Sequence, residues 1–353
     1  MVTLAYAMTA LLTAAAAIWC ALALFYTAPG PPIVGYGLAA LALLVPLGVA
    51  MAQHSIWHGA AAAGIVLAAV LAWYLSLTPP QDADWQSNVA NLAHAELDGH
   101  RVTVHNVRNF DYRTETDYTP RWETRTYDIS KLAGLDVFFS HWAGPAIAHT
   151  ILSWSFSDGQ HLAISIETRN RVGQRYSAIA GFFRQYPIYY VVADERDVIR
   201  LRTNYRGEHV WLYRLRTDDN TALALLFEYL GTINVLAASP DWYNALTANC
   251  TTTIRQHVRH FSPSGSPWSW RLLLNGYLPE LLYDEGRLDR SLEFAELQAV
   301  SNIDARAVGA SYSEFSDAIR VGLPNPRREK RLTTRGLTIV ELRTDDGGIS
   351  SSM

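Results

Sequence analysis

The 353-residue sequence predicts an α+β domain carried on three membrane-spanning helices. Two observations predict it. The first is the placement of charge: no Lys or Arg occurs before Arg101, and no Asp or Glu before Asp82. The second is a change of hydrophobic period downstream, from alternation over 101–215 to helical spacing after Asp219, without the regular βαβ rhythm of a parallel α/β fold.

The uncharged stretches at about 2–26, 33–52 and 56–77 each supply the ~20 apolar residues needed to cross ~30 Å of hydrocarbon. Ala28-Pro29-Gly30-Pro31-Pro32 and Gln53-His54-Ser55 supply the breaks between them. The first stretch lacks the positive n-region of a signal peptide, and two further spans follow it. Soluble core helices carry a charged face, and these carry none. Three spans place the N-terminus and the large domain on opposite sides. Their short loops lack Lys and Arg, so the positive-inside rule does not orient them. Trp57, Trp73, Tyr74 and Trp85 fit interfacial anchors. The expected layout is a membrane region over 1–78, a water-facing domain over 79–335, and a tail over 336–353.

In that domain, Arg101–Val107, Trp122–Ile129, Val137–Ser140, Ile188–Val192 and Val210–Leu215 read as strands. Thr150–Phe156 and His161–Glu167 flank Ser157-Asp158-Gly159-Gln160, and Asp-Gly between β-rich runs signals a hairpin. Leu223, Leu226, Phe227, Leu230 and Ile233 define the core stripe of a helix over 219–237. A second helical region is expected over 241–261, and Asp194-Glu195-Arg196-Asp197 reads as a charged turn. A net charge of −4 lacks the concentrated basic face of a nucleic-acid protein. Arg327, Arg328, Lys330 and Arg331 read as a solvated tail.

Of two cysteines, Cys20 lies in the first span and Cys250 in the charged domain, so no disulfide framework is expected. Asn249 is a good N-cap, and a helix starting there puts Cys250 in the first turn. The dipole and unpaired N–H groups at that position favour thiolate. A thiolate nucleophile wants an imidazole base, and His149 opens a strand from which it could be aimed. Glu167, at the end of the returning strand, shares the His149 face only if the hairpin loop has three residues or a bulge. His161 stands beside the turn and ranks below Glu167. Arg169 and Arg171 are candidate ion-pair partners of Glu167; Asn249, Arg169 and His161 complete the supporting set. There is no HExxH, CxxC, Walker loop or GxSxG, and His257 and His260 form no metal site with His54 or His58. No metal or cofactor is expected. The competing reading is a non-catalytic envelope module with an inert, buried Cys250.

About 84–330 resembles the Lnb N-terminal periplasmic domain family of bacterial lipoprotein N-acyltransferases. The resemblance rests on NVRNFDYR (106–113), HWAGPAIAHTILSWSF (141–156), AISIETR (163–169), YVVADERDVIRLRTNYR (190–206) and YNALTANCTTTI (243–254). It implies a bacterial inner-membrane protein with a periplasmic, permuted papain-like (NlpC/P60-like) domain. It further implies Cys250 as nucleophile, His149 as base and Glu167 as the orienting group. The implied partners are the bilayer and a lipoprotein or envelope lipid, the reaction being acyl transfer through a thioester. A cell-wall cysteine peptidase or amidase is a variant of the same chemistry. In the family's namesake the spans follow the domain; here they precede it, and the thiol chemistry alone does not fix the substrate.

Overall fold

The computed structural model describes residues 2–261 and 269–326. The basic run from Arg327 and the Gly/Ser tail lie outside the described residues. The described chain is mixed α+β, and it divides into two compact units. The first holds residues 1–92, 164–192 and 236–256; the second holds 93–163, 193–235 and the described residues from His257 on.

In the first unit, α1 (Val2–Thr27), α2 (Pro32–Ala52) and α3 (Ile56–Ser76) are each long and apolar enough to cross a membrane. Their large apolar side chains, Leu11, Leu44 and Ile65 among them, point outward, as lipid-facing residues must. Small residues line their contacts. A Cβ on Gly59 would stand 2.6 Å from that of Ala50, so glycine is what lets α2 and α3 approach so closely.

The segment after β8 (His161–Thr168) supplies the partners that the helix ends lack. Backbone carbonyls in the last turn of a helix have no intrahelical donor. The Arg184 guanidinium donates to the carbonyls of Tyr74 at 2.6 Å and Leu77 at 2.9 Å, closing α3. Gln185 Nε2 donates to the carbonyl of Tyr26 at 2.7 Å, closing α1. Phe183 stacks on Tyr26 with ring centroids 5.4 Å apart, and packs with Cys20, Val70 and Tyr74. Arg169 donates to the carbonyls of Val89 and Ala90, at 3.0 and 2.6 Å, and lies 4.2 Å over the Trp85 ring. It thereby fixes the linker that leaves α3.

The described strands include an eight-stranded sheet, most of whose strands lie in the second unit. Its strands are β1 (His94–Asp98), β2 (Arg101–Arg108), β5 (Trp122–Asp128), β6 (Leu132–His141), β7 (Ala148–Phe156), β8, β9 (Ile188–Ala193) and β10 (His209–Arg214). They are ordered β1-β2-β9-β8-β7-β6-β10, with β5 on β2. Of β8 only His161–Ala163, and of β9 only Ala193, belong to the second unit. Between Val104 and Val107 the β2–β5 register slips, and Asn106 takes φ 59° at the bulge, a conformation Asn tolerates better than most residues. A small ribbon, β3 (Asp111–Tyr112) with β4 (Tyr118–Thr119), follows β2.

All seven strands expected from the sequence are present, with β6 extending well beyond Val137–Ser140. The hairpin turn is of the three-residue kind: Phe156 N donates to the Gln160 carbonyl at 2.9 Å around Ser157-Asp158-Gly159. Gly159 takes the required left-handed φ of 84°.

The helix α5 (Asp219–Ala238) is also long and apolar enough to span a membrane. It is instead a core element. Leu223, Leu226, Leu230 and Ile233 are buried, each gaining roughly 1.5–3 kcal/mol. The Trp154 indole on β7 donates to the Ala222 carbonyl at 2.9 Å.

The expectation of a charged turn at 194–197 is overturned. Asp194 caps α4 (Glu195–Arg200) by accepting from Arg196 N, and Glu195 and Asp197 are wholly buried. They survive burial because each is paired. Arg320 donates to both Glu195 and Asp136, at 2.6 and 2.8 Å, and Ser153 donates to Glu195 at 2.6 Å. Asp197 accepts from the Arg108 guanidinium at 3.0 Å and from Phe110 N at 2.7 Å. Much of what makes NVRNFDYR and YVVADERDVIRLRTNYR distinctive is therefore scaffold.

Candidate functional site

The helix carrying the candidate nucleophile is shorter than the sequence suggested. It is α6 (Cys250–Phe261), and 241–249 is an irregular loop. Hydrogen bonds fix that loop in the first unit. Ile188 N donates to the Asp241 carbonyl at 2.8 Å, Tyr243 N to Tyr186 at 2.9 Å and Ala245 N to Gly181 at 3.1 Å. Asn244 Oδ1 accepts from Leu246 N and Thr247 N, at 2.9 and 3.0 Å, an Asx-type turn.

Asn249 is the N-cap, as its residue type predicts. Its Oδ1 accepts from Thr251 N at 3.0 Å and Thr252 N at 2.9 Å. Its own N–H donates to Thr252 Oγ1 at 3.0 Å, closing a reciprocal capping box. Its Nδ2 donates back to the Ala245 carbonyl at 2.8 Å, so the helix start is tied to the loop before it. Cys250 is thus the first helical residue, half-buried, with its sulfur 3.9 Å from Thr251 Oγ1.

Within the same unit a phenol joins the thiol. Burial pushes the Tyr243 hydroxyl far above its ordinary pKa, and Tyr176, Cys250 and Glu167 push it in the same direction. Tyr243 is therefore a neutral hydroxyl that senses both the Cys250 thiol and the Glu167 carboxylate. Glu167 is half-buried on β8 and accepts from Ser165 Oγ at 2.8 Å. Of the two candidate ion-pair partners of Glu167, Arg169 is not one, because its guanidinium is spent on the Val89 and Ala90 carbonyls. Sequence reasoning passed over Tyr243, although it opens the YNALTANCTTTI stretch.

His149 and His161 belong to the second unit. His149 is half-buried on β7, opposite Ser140 of β6. The residue before it is clamped: Asn275 Oδ1 accepts from Ala148 N at 2.9 Å, and Asn275 Nδ2 donates to the Ala148 carbonyl. Next to it, Gly276 N donates to the Ala146 carbonyl at 3.0 Å. A Cβ at Gly276 would stand 1.9 Å from the Pro145 oxygen, so only glycine fits. His161, at the start of β8, is among the groups that help to lower the pKa of the buried Glu195 carboxylate.

The sequence also missed a second grouping. His257 and His260 on α6 converge with Glu228 of α5, and one donor atom from each lies within 4.8 Å of the others. Burial lowers the His257 pKa to about 4, against the opposing pull of Glu228, so its imidazole is neutral at pH 7. An H-x-x-H spacing on a helix was the available signal; Glu228, 29 residues earlier, was not findable without the fold.

No curated protein and no solved structure matches the chain. Three N-terminal helices of spanning length, with a segment further along the chain that matches a periplasmic family, describe a membrane-anchored protein with a periplasmic domain. That segment is residues 118–276, which carry His149, Glu167 and Cys250 and match the family model of the Lnb N-terminal periplasmic domain.

Proposed function

We propose that the protein is a thiol acyltransferase or related hydrolase acting at the bacterial inner membrane on a lipoprotein or envelope lipid. On this reading the domain is a permuted papain-like module with Cys250 as nucleophile, His149 as base and Glu167 as the group that orients it. The observation that carries the proposal is the doubly capped start of α6. It holds Cys250 at the positive end of a helix dipole, where thiolate is favoured.

A lipid substrate is supported by the setting of the loop before Cys250. Val172, Tyr176, Ile179, Phe182 and Leu246 all expose large apolar side chains in the unit that contains α1–α3. Exposed apolar groups concentrated in a membrane-bearing unit suit an acyl chain drawn from the bilayer.

In the proposed reaction the Cys250 thiolate attacks the ester carbonyl of the donor. The C–O bond breaks, the alcohol takes its proton from the His149 imidazolium, and an S-acyl intermediate remains. An incoming amine, or water, then attacks that carbonyl, gives its proton to His149, and the C–S bond breaks to restore the thiolate. The Thr251 and Thr252 N–H groups cannot serve the oxyanion, because both are committed to Asn249.

The test is labelling of the full chain in membranes with an alkyne-tagged diacylglyceryl ester, read as a hydroxylamine-sensitive adduct. The adduct is expected in the parent protein, absent in Cys250→Ala and strongly reduced in His149→Ala. An adduct that survives Cys250→Ala, or none in folded parent protein, overturns the proposal.

A further inference from the structure

We infer that Glu228, His257 and His260 form a binding site for a divalent transition cation of the zinc class, separate from the thiol chemistry. Glu228 projects from α5. His257 and His260 stand three residues apart on α6, so both rings share one face of that helix. Glu228 Oε2 lies 2.9 Å from His260 Nδ1 and 3.9 Å from His257 Nδ1. Zinc bonds to nitrogen and oxygen are ~2.0–2.2 Å, which sets neighbouring donors of a tetrahedron about 3.4 Å apart. The two observed separations straddle that value, and all three donors lie within 4.8 Å of one another, so small side-chain rotations would seat an ion.

The donor set and its surroundings fit as well. Two imidazoles with one carboxylate are a common zinc ligand set that leaves a fourth position for water. The His257 side chain is only 5% exposed, and its ring packs on Tyr229 with centroids 4.5 Å apart, which holds its orientation. His260 is 64% and Glu228 35% exposed, so an ion reaches the site from solvent. A bound ion would pin the second half of α6 to α5.

A second grouping of this kind among the described residues, His94, Glu96 and His105 on β1 and β2, is less suited. Its two imidazoles stack face to face, 4.4 Å apart and within 7° of parallel, so the ring planes do not converge on a common point.

The experiment uses the full chain in detergent in a Cys250→Ser background, so that the thiol cannot ligate. After chelator treatment, zinc retained at equilibrium dialysis and the visible absorption of added Co(II) are measured. The expected result is one equivalent of zinc and the intense absorption of four-coordinate cobalt. Losing even an outer hydrogen-bond partner of a ligand weakens metal binding ~10–100-fold. Glu228→Gln and His260→Ala should therefore each weaken binding by at least that factor, and His105→Ala should leave it unchanged. His260 is mostly exposed, so that variant is expected to fold, which its unfolding curve in chelator checks. Less than one equivalent in the parent, unchanged affinity in His260→Ala, or loss only in His105→Ala overturns the inference.

Discussion

Replacing Asn249 by alanine tests the geometry at the start of α6 directly. The side chain accepts two backbone N–H bonds at 2.9–3.0 Å and donates one to Ala245 at 2.8 Å. Alanine removes all three. Loss of an N-cap costs ~0.5–2 kcal/mol, and losing the extra tie to the loop places this site at the upper end, ~1.5–2 kcal/mol. That corresponds to a fall in unfolding temperature of about 3–8 °C for a domain of this size. The same change frays the turn that presents Cys250, so thiol alkylation at pH 7 should slow as the dipole and fixed geometry are lost. Asn249→Asp separates the two effects. It keeps the two cap bonds and restores part of the stability, losing the tie to Ala245, but its charge beside the sulfur raises the thiol pKa, so alkylation stays slow. Thermal unfolding and iodoacetamide rate against pH, both on the full chain in detergent, read the two quantities. Unchanged stability and unchanged alkylation in Asn249→Ala would refute the argument that the cap supports the thiol.

Three further outcomes are expected. Arg320→Met leaves Asp136 and Glu195 buried without their shared cation and should cost ~3–5 kcal/mol by denaturant unfolding; a cost below 1 kcal/mol would contradict the pairing. Gly276→Ala, where a Cβ meets the Pro145 oxygen, should distort the approach to β7 and reduce His149-dependent labelling, while Gly322→Ala, whose Cβ meets open space at φ 76°, should leave labelling intact. For pH, burial raises Asp194, Glu195 and Glu208, but their Arg partners outweigh it and hold all three below the ordinary carboxylate range. Their contribution is complete above the unfolded values of ~3.9–4.3 and is lost as pH falls through the lower folded values. Asp197, raised by burial, acts with the opposite sign and at higher pH: its penalty is present above its folded value and is relieved as pH falls from there to the unfolded value, before the others begin to be lost. Stability should thus fall steeply below pH ~4, less so in Glu195→Gln; a flat profile from pH 7 to 3 would refute it.

Sequence alone determined the features that repeat along the chain or sit within one turn. Charge exclusion over the first 81 residues specifies α1–α3, because an unpaired charge in hydrocarbon is costly. Alternation specifies the strands, Asp-Gly the hairpin, and Asn249 the cap of α6, since each depends on neighbours within a few residues. Tertiary structure alone decided everything that depends on a distant partner. The acidic run 194–197 reads as solvated until Arg108 and Arg320, 89 and 125 residues from their partners, arrive to neutralise it. Arg169 reads as a partner for Glu167 until the carbonyls of Val89 and Ala90 claim it. Tyr243 comes under the influence of Cys250 and Glu167, and His257 and His260 converge with Glu228, only in the packed chain. Burial decides the state of a polar group, and burial is a property of the packed chain, which no local pattern encodes.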